Sequence, residues 1–367
     1  MSGETPRVLQ VLGRSAGGIA RHVAFLSRSL RGRDLGAVEV AGPPDLPVEM
    51  PRPFHEVTIP DGPLLGHRSA IKRLRHIIEQ GDFDVVHAHG LRAGIDAGTA
   101  ARRLRTTVFL TVHNLVRADI TGSVKGRLYR GAEKLAIRRA DRVFCVSEEI
   151  AGHLRATVPD AADRIEVMYL GVGAAPEPTA TPAEIRDELG LDDRTRLVVT
   201  ASRLAPQKAL PVMFEAIGGL PDALLAVLGE GPLEAELRAV AERLAPGRVR
   251  FLGFRDTVVD HIRAADAFCL SSVWEGVPLA AQEAILVGTP VVATAVGGMP
   301  ELIEDRVSGR LVPKNDAVAL RDALSEVLGG GDIAGTYAER ARIDLLERFS
   351  TDEMIERLTR AYREAGS

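Results

Sequence analysis

At 367 residues, with 46% apolar and 26% charged side chains, the chain fits two globular domains of ordinary size and is not composed like a disordered protein. The formal net charge of −4 hides an asymmetry, +5 over residues 1–180 and −9 over residues 181–367, so the two halves face different partners. No run of about 18 apolar residues could span a bilayer, and Met1–Arg7 lacks the basic-then-apolar plan of a secretion signal, which leads to the expectation of a cytoplasmic protein.

Short apolar runs alternate with helical periodicity from end to end, the pattern of strand–helix units around a parallel sheet. In the first half, strands are predicted at Val8 to Leu12, Val85 to His89, Val108 to Val112, Val143 to Val146 and Ile165 to Met168. After the first of them comes Gly13-Arg14-Ser15-Ala16-Gly17-Gly18, then an amphipathic helix from Ile19 to Leu30. Gly17 and Gly18 allow backbone N–H groups to approach an anion at a helix start, although a plain tight turn reads the same way. The Gly-x-Gly-x-x-Gly fingerprint is absent, which argues against a dinucleotide-dependent oxidoreductase.

Farther on, Arg68, Lys72, Arg73, Arg75 and His76 accompany Leu74, Ile77 and Ile78 at helical spacing. Such a helix could rest on an anionic membrane, or be a solvated face. Asp82-Phe83-Asp84 imitates a metal-binding aspartate pair but precedes its strand, so both are read as solvated turn residues. His87 and His89 sit near one strand's carboxyl end and His113 follows another, where an imidazole can reach a ligand and donate to a sugar hydroxyl. Between Arg102 and Arg139, ten Lys or Arg meet only Asp119 and Glu133, which favours an anionic substrate or surface. Cys145 and Cys269 fall in apolar runs of different halves and are expected as free buried thiols; no zinc ligand set and no nucleic-acid partner is expected.

Gly173 to Pro182 contains three prolines and reads as an interdomain linker. Beyond it, strands are predicted at Leu197 to Ala201, Leu224 to Leu228, Val249 to Leu252, Ala267 to Leu270 and Pro290 to Ala293. Ligands of such sheets bind past the strand carboxyl ends. There Arg203 and Lys208, in Ser202-Arg203-Leu204-Ala205-Pro206-Gln207-Lys208, can grip a diphosphate from two sides, ahead of a helix expected to begin near Lys208. Gly229-Glu230-Gly231-Pro232 and Gly253-Phe254-Arg255 offer glycine-opened backbone suited to a flat base, with Gly231, Phe254 and Arg255 as the contacts.

The densest signal is Ser272-Val273-Trp274-Glu275-Gly276-Val277-Pro278-Leu279-Ala280-Ala281-Gln282-Glu283-Ala284. Pro278 is expected to open a helix, leaving Val277 to Ala280 with unpaired N–H groups for an anion, while Glu275 and Glu283 bracket the ligand.

With these residues in view the chain resembles the retaining glycosyltransferase family 4, which has the GT-B fold: α/β, with two doubly wound Rossmann-like domains facing a central cleft. The resemblance is carried by Glu275 and Glu283 as a glutamate, seven residues, glutamate motif, followed by Gly288 to Thr294, Gly297 to Ile303 and Gly309 to Pro313. It implies an acceptor-side domain over 1–174, a nucleotide-sugar-binding domain over 175–350, and a helix within 351–367, about Asp352 to Glu364, crossing back to the first domain. It further implies that Arg203 and Lys208 bind the donor diphosphate, that Val277, Pro278 and Leu279 receive its phosphates and that Glu283 holds the ribose. Glu275 and His113 would contact the transferred sugar, and Gly17 and Gly18 would approach the phosphates. The implied activity is metal-independent, cofactor-free hexosyl transfer from a nucleotide sugar, a uridine diphosphate hexose first and guanosine diphosphate mannose next, to a small-molecule or lipid-linked hydroxyl acceptor. Tyr169-Leu170-Gly171-Val172-Gly173 departs from the family's Pro-Asn-Gly-Val-Asp, and Ala209 replaces its glycine after Lys208. That loss of polar residues keeps a second class open, a nucleotide-sugar-binding protein without transfer activity.

Overall fold

A computed structural model describes residues 5–14, 18–61, 66–115, 123–173 and 177–366, and the side chains of all of these but 123–126. The chain divides into two units, Met1–Gly171 with Thr351–Ser367, and Val172–Ser350.

The first unit holds β1 (Arg7–Leu12), β2 (Ala37–Gly42), β3 (Phe54–Glu56), β4 (Val85–His89), β5 (Thr107–Val112), β6 (Arg142–Cys145) and β7 (Ile165–Val167). They form one parallel sheet in the order β3-β2-β1-β4-β5-β6-β7. Strands covered on both faces read as continuous apolar runs, which is why β1, β4, β5, β6 and β7 stand out in the sequence. β2 and β3 do not. Glu39 interrupts the apolar run of β2, held by Arg7 at 3.4 Å and His55 at 2.6 Å, and β3 is three residues long just after Pro53.

Two expectations are corrected in this unit. The helix His67–Gly81 buries Leu74, Ile77 and Ile78, so its apolar stripe faces the protein interior and not a membrane, leaving Arg68, Lys72, Arg73 and His76 outside. Asp84 is not a solvated turn residue, because its Oδ2 accepts the Arg7 backbone N–H at 2.7 Å and ties β4 to the start of β1. No helix among the described residues is long and apolar enough to cross a membrane. Cys145 and Cys269 are free and buried.

The helix Thr351–Ala365 completes this unit. Met354, Ile355, Leu358, Ala361 and Tyr362 pack in one apolar cluster with Val8, Leu26, Val85, Phe109 and Phe144. Gly171 sits where that helix begins, and a Cβ there would meet the Thr351 Cα at 2.6 Å. Only a glycine allows so close an approach.

The second unit holds β8 (Arg196–Ala201), β9 (Ala223–Leu228), β10 (Val249–Gly253), β11 (Ala267–Leu270), β12 (Val291–Thr294) and β13 (Arg310–Val312), parallel in the order β10-β9-β8-β11-β12-β13. β13 is a three-residue edge strand that gave no apolar run. The expected linker is partly claimed by this unit: Thr179 donates from N–H and Oγ1 to Asp260 at 2.8 and 2.7 Å. Two residues on, Thr181 and Glu184 form a reciprocal capping box around Pro182, the first residue of the helix Pro182–Glu188. In each sheet the order reverses at one place, between β1 and β4 and between β8 and β11, and strand carboxyl ends beside such a reversal form the ligand crevice of doubly wound sheets.

Candidate functional site

The loops after β8 and β11 flank the reversal of the second sheet and carry the predicted cations and carboxylates. After β8 the chain passes Ser202, the exposed Arg203 and the buried Leu204, makes a 3-10 turn at Pro206–Lys208, and enters the helix Leu210–Gly218, slightly later than expected. The joint is Ala209 at φ 43° and ψ 39°, a left-handed conformation that an alanine side chain disfavours.

After β11 the chain turns at Ser271 to Pro278 and enters the helix Leu279–Leu286. Pro278 is the residue before the helix, with an extended backbone at φ −74° and ψ 118°, and its carbonyl accepts the N–H of Ala281 at 3.1 Å. The expected set of free amides, Val277 to Ala280, is corrected at Pro278, which has no N–H; Leu279 and Ala280 are the donors that head the helix, ahead of the bonded Ala281. Val277 is buried beside them, and Glu283 lies half-buried in the second turn.

These loops meet through Glu275. Its Oε1 accepts from Lys208 Nζ at 2.5 Å and from Ser272 Oγ at 2.6 Å, and its Oε2 accepts from Gln207 Nε2 at 3.4 Å. Gln207 also donates to the Trp274 carbonyl at 3.0 Å, and Ser271 Oγ to the Lys208 carbonyl at 2.9 Å. The loop is braced from behind: Thr294 Oγ1 donates to the Ser272 carbonyl at 2.6 Å and Gly298 N–H to the Gly276 carbonyl at 2.7 Å. Glu275 is 8% exposed, and these donors with the lysine offset the cost of burying its carboxylate. Lysine has three N–H donors and gives one to Glu275, which leaves two for an incoming anion.

Sequence reasoning placed Lys208 and Glu275 at one ligand edge but missed Ser272 and Gln207, although both stand within the motif segments. It also missed three buried donors adjoining named residues. Ser202 Oγ beside Arg203, Trp274 Nε1 beside Glu275 and Gln282 Nε2 beside Glu283 have no hydrogen-bond partner among the described residues. Buried donors of this kind call for a partner.

The glycines of the expected base-reading loop have a structural role of their own. A Cβ at Gly229 would lie 2.1 Å from the Ser202 carbonyl oxygen and one at Gly231 would lie 2.3 Å from that of Leu204, so these glycines make room for the protein's own backbone. The carbonyl of Glu230 accepts from Leu204 N–H at 3.0 Å, and Gly229 N–H donates to Gly253 at 2.8 Å. The Phe254 ring, 64% exposed, offers a face to a flat ligand, and the Phe254 backbone N–H donates to Glu230 Oε1 at 3.4 Å. Arg255 is 3.8 Å from Glu188.

In the first unit, Gly17 lies outside the described residues and Gly18 is the first residue of the helix Gly18–Ser29. His113, one residue past β5, is buried, and its Nε2 is 3.2 Å from His89 Nδ1. Burial, reinforced by His22 and His87, holds its pKa well below the ordinary histidine value, so the ring is neutral near pH 7 and acts as a hydrogen-bonding group rather than a cation. Among the described residues no three His, Cys, Asp or Glu side chains converge as metal ligands.

Two family descriptions match the two units in turn: "Glycosyltransferase Family 4" over residues 16–175 and "Glycosyl transferases group 1" over residues 182–344. The D-inositol 3-phosphate glycosyltransferase of Xylanimonas cellulosilytica is 30% identical over 95% of this chain and 92% of its own. The enzyme of that name from Mycolicibacterium vanbaalenii is 30% identical over 82% of this chain and 71% of its own. Among solved structures, Anabaena HepE in complex with UDP-glucose superposes with a TM-score of 0.80 at 21% identity, covering 98% of this chain and 100% of HepE. The strand orders, the motif loops and relatives that span both units agree that this chain belongs to the family 4 glycosyltransferases and has their GT-B fold.

Proposed function

We propose that the chain is a retaining, metal-independent hexosyltransferase that takes a uridine diphosphate hexose, with guanosine diphosphate mannose as the next choice, and glycosylates a hydroxyl acceptor. The observation that carries this reading is the Lys208–Glu275–Ser272 cluster beside the start of the helix Leu279–Leu286. Arg203, the two spare donors of Lys208 and the amides of Leu279 and Ala280 offset charge growing on the departing diphosphate, the task a metal ion performs in other designs. Glu283 holds the ribose, Phe254 meets the base, and Glu275 with His113 meets the transferred sugar. Departure of the nucleotide on the face where the acceptor attacks gives retention.

The acceptor is read as anionic. The basic excess of residues 1–180 supports this, as does the D-inositol 3-phosphate in the name of the full-length relatives. A lipid-linked acceptor is favoured by one surface, the helix Ser123–Arg139, where Leu128, Tyr129 and Leu135 are exposed among Arg127, Arg130, Lys134 and Arg138. Apolar residues within a basic face suit an anionic membrane.

Initial-rate assays with both donors, in chelator, test the reading. Arg203→Ala and Lys208→Ala should each lose about 2.7–4 kcal/mol of transition-state stabilisation, by analogy with a lost oxyanion donor. Near-full turnover in both variants, or dependence on added divalent metal, rejects it. Sedimentation with anionic vesicles at low salt, lost as salt screens the attraction, separates a membrane-borne acceptor from a free one.

A further inference from the structure

At the carboxyl end of the first unit's sheet lies a chain of polar side chains of which only His113 belongs to the proposed donor site. Thr111 Oγ1 is 2.7 Å from His87 Nε2, and His87 Nδ1 is 2.6 Å from the Tyr362 hydroxyl. That hydroxyl is 3.1 Å from Gln10 Nε2, Gln10 Oε1 is 2.7 Å from His89 Nε2, and His89 Nδ1 is 3.2 Å from His113 Nε2. The six residues come from β1, β4, β5, the turn after β5 and the helix Thr351–Ala365, and none is more than 5% exposed. His22 stands edge-on to this row, its ring centroid 5.9 Å from that of His89 and 5.5 Å from that of His113. Six buried polar side chains are costly unless their hydrogen bonds are made, so the arrangement fixes each partner's role.

Burial lowers the pKa of His87 to about 3, and those of His89 and His113 well below the ordinary value, with the neighbouring histidines adding repulsion. Each ring is therefore neutral, with one N–H and one bare nitrogen, and donor character at one end of a ring imposes acceptor character at the other. Gln10 sets the direction. Its Oε1 can only accept, so His89 Nε2 carries the proton, His89 Nδ1 is bare, and His113 Nε2–H donates to it. His113 Nδ1 is then bare. On the other side the Gln10 amide donates to the Tyr362 oxygen, the Tyr362 O–H donates to His87 Nδ1, and His87 Nε2–H donates to Thr111. Turning the Gln10 amide over would reverse every one of these bonds.

We propose that Gln10 and Tyr362 are positioning residues that fix the tautomer of His113 through His89, so that His113 offers the transferred sugar an acceptor nitrogen, Nδ1, rather than a donor. The use of that nitrogen rests on the reading of His113 as a sugar contact; the tautomer itself does not. A sugar hydroxyl would donate to Nδ1, the reverse of the polarity expected from the sequence, and a hexose lacking that hydroxyl would be a poorer donor substrate.

Long-range proton–nitrogen spectra of the full-length chain, labelled with nitrogen-15 in histidine, read the tautomer directly, with His113→Gln identifying the resonances. In the wild-type chain His113 Nε2 should show the protonated and Nδ1 the bare chemical shift. In Tyr362→Phe and Gln10→Leu the two shifts should move toward each other as both tautomers become populated. A proton on Nδ1 in the wild-type chain, a result that needs no variant to fold, overturns the proposal. So does an unchanged tautomer in both variants. Donor turnover is the second arm: Tyr362→Phe should lose about five- to ten-fold in kcat/KM, the scale of one misdirected hydrogen bond, and a merely structural role would lower its melting temperature without moving the tautomer. If His113→Ala turns over like wild type, the sugar contact falls while the tautomer stands.

Discussion

Replacing Gly297 by alanine should damage the active-site loop from behind. Gly297 has φ +60°, and a Cβ there would lie 2.1 Å from the Glu275 carbonyl oxygen, 2.6 Å from its carbon and 2.9 Å from the Gly276 oxygen. All three neighbours are backbone atoms, so relief requires moving the loop by about an ångström, a typical overpacking cost of about 1–3 kcal/mol. The left-handed conformation adds about 1–2 kcal/mol for a residue with a Cβ, and the stiffer unfolded chain returns roughly 0.4–1 kcal/mol. The net loss is about 2–4 kcal/mol, and at roughly 2–4 °C per kcal/mol for a unit of this size the melting temperature should fall by at least about 4 °C. The same shift drags Glu275 from Lys208, 2.5 Å away, and misplacement of that order costs about 100-fold in turnover. Calorimetry and initial-rate assays on the purified variant check both. A melting temperature within about 1 °C of wild type, with full activity, would refute the account of Gly297 as the brace of this loop.

Other outcomes follow from the same geometry. Ala209→Gly should stabilise the second unit by about 0.5 kcal/mol, the relief of a left-handed alanine less the entropy of glycine, and a lower urea midpoint would contradict it. Unfolded, His22 and His87 titrate near 6.5, whereas burial lowers His22 to about 4 and burial with the facing His22 lowers His87 to about 3. The unfolded chain binds more protons in that window, so their contribution is complete above pH 6.5 and is lost as the pH falls through about 4 and then 3, by up to about 1.4 kcal/mol per pH unit for each ring. Urea midpoints measured from about pH 7.5 downward report it, and a flat profile would mean that the rings are not neutral and buried. Burial pushes the Cys145 thiol up to about 12 and that of Cys269 higher still, so a thiol reagent should label neither until the chain unfolds; fast labelling of the folded protein would sink this.

The sequence exposed what is repeated or contiguous. Ten of the thirteen strands among the described residues announced themselves as apolar runs, and the three that did not, β2, β3 and β13, are a strand broken by Glu39 and two three-residue edge strands. The meeting of Lys208 with Glu275 was foreseeable as two motifs at adjacent strand ends, and Ser272 lay within one of them. At Gly229 and Gly231 the absence of a side chain also makes room for the protein's own carbonyls, a need that looks the same in sequence as room for a ligand. The membrane reading of Arg68 to Ile78 failed because a helix that packs on a sheet has the same periodicity as one lying on lipid. The resemblance implied that the last helix returns to the first domain, as it does, but no residue pattern singles out Gln10 and Tyr362, 352 positions apart, as partners.

That return has a consequence for biosynthesis. Translation runs from amino to carboxyl end, so all of Val172–Ser350 emerges from the ribosome before the segment that seals the first sheet. The continuous second unit can close on its own, while the first waits with Val8, Phe109 and Phe144 uncovered and with Gln10 and His87 lacking the Tyr362 hydroxyl. Domains that fold as units during synthesis would here mature in reverse order, the later-encoded one first. Until then the first unit exposes apolar surface of the kind that chaperones and proteases recognise.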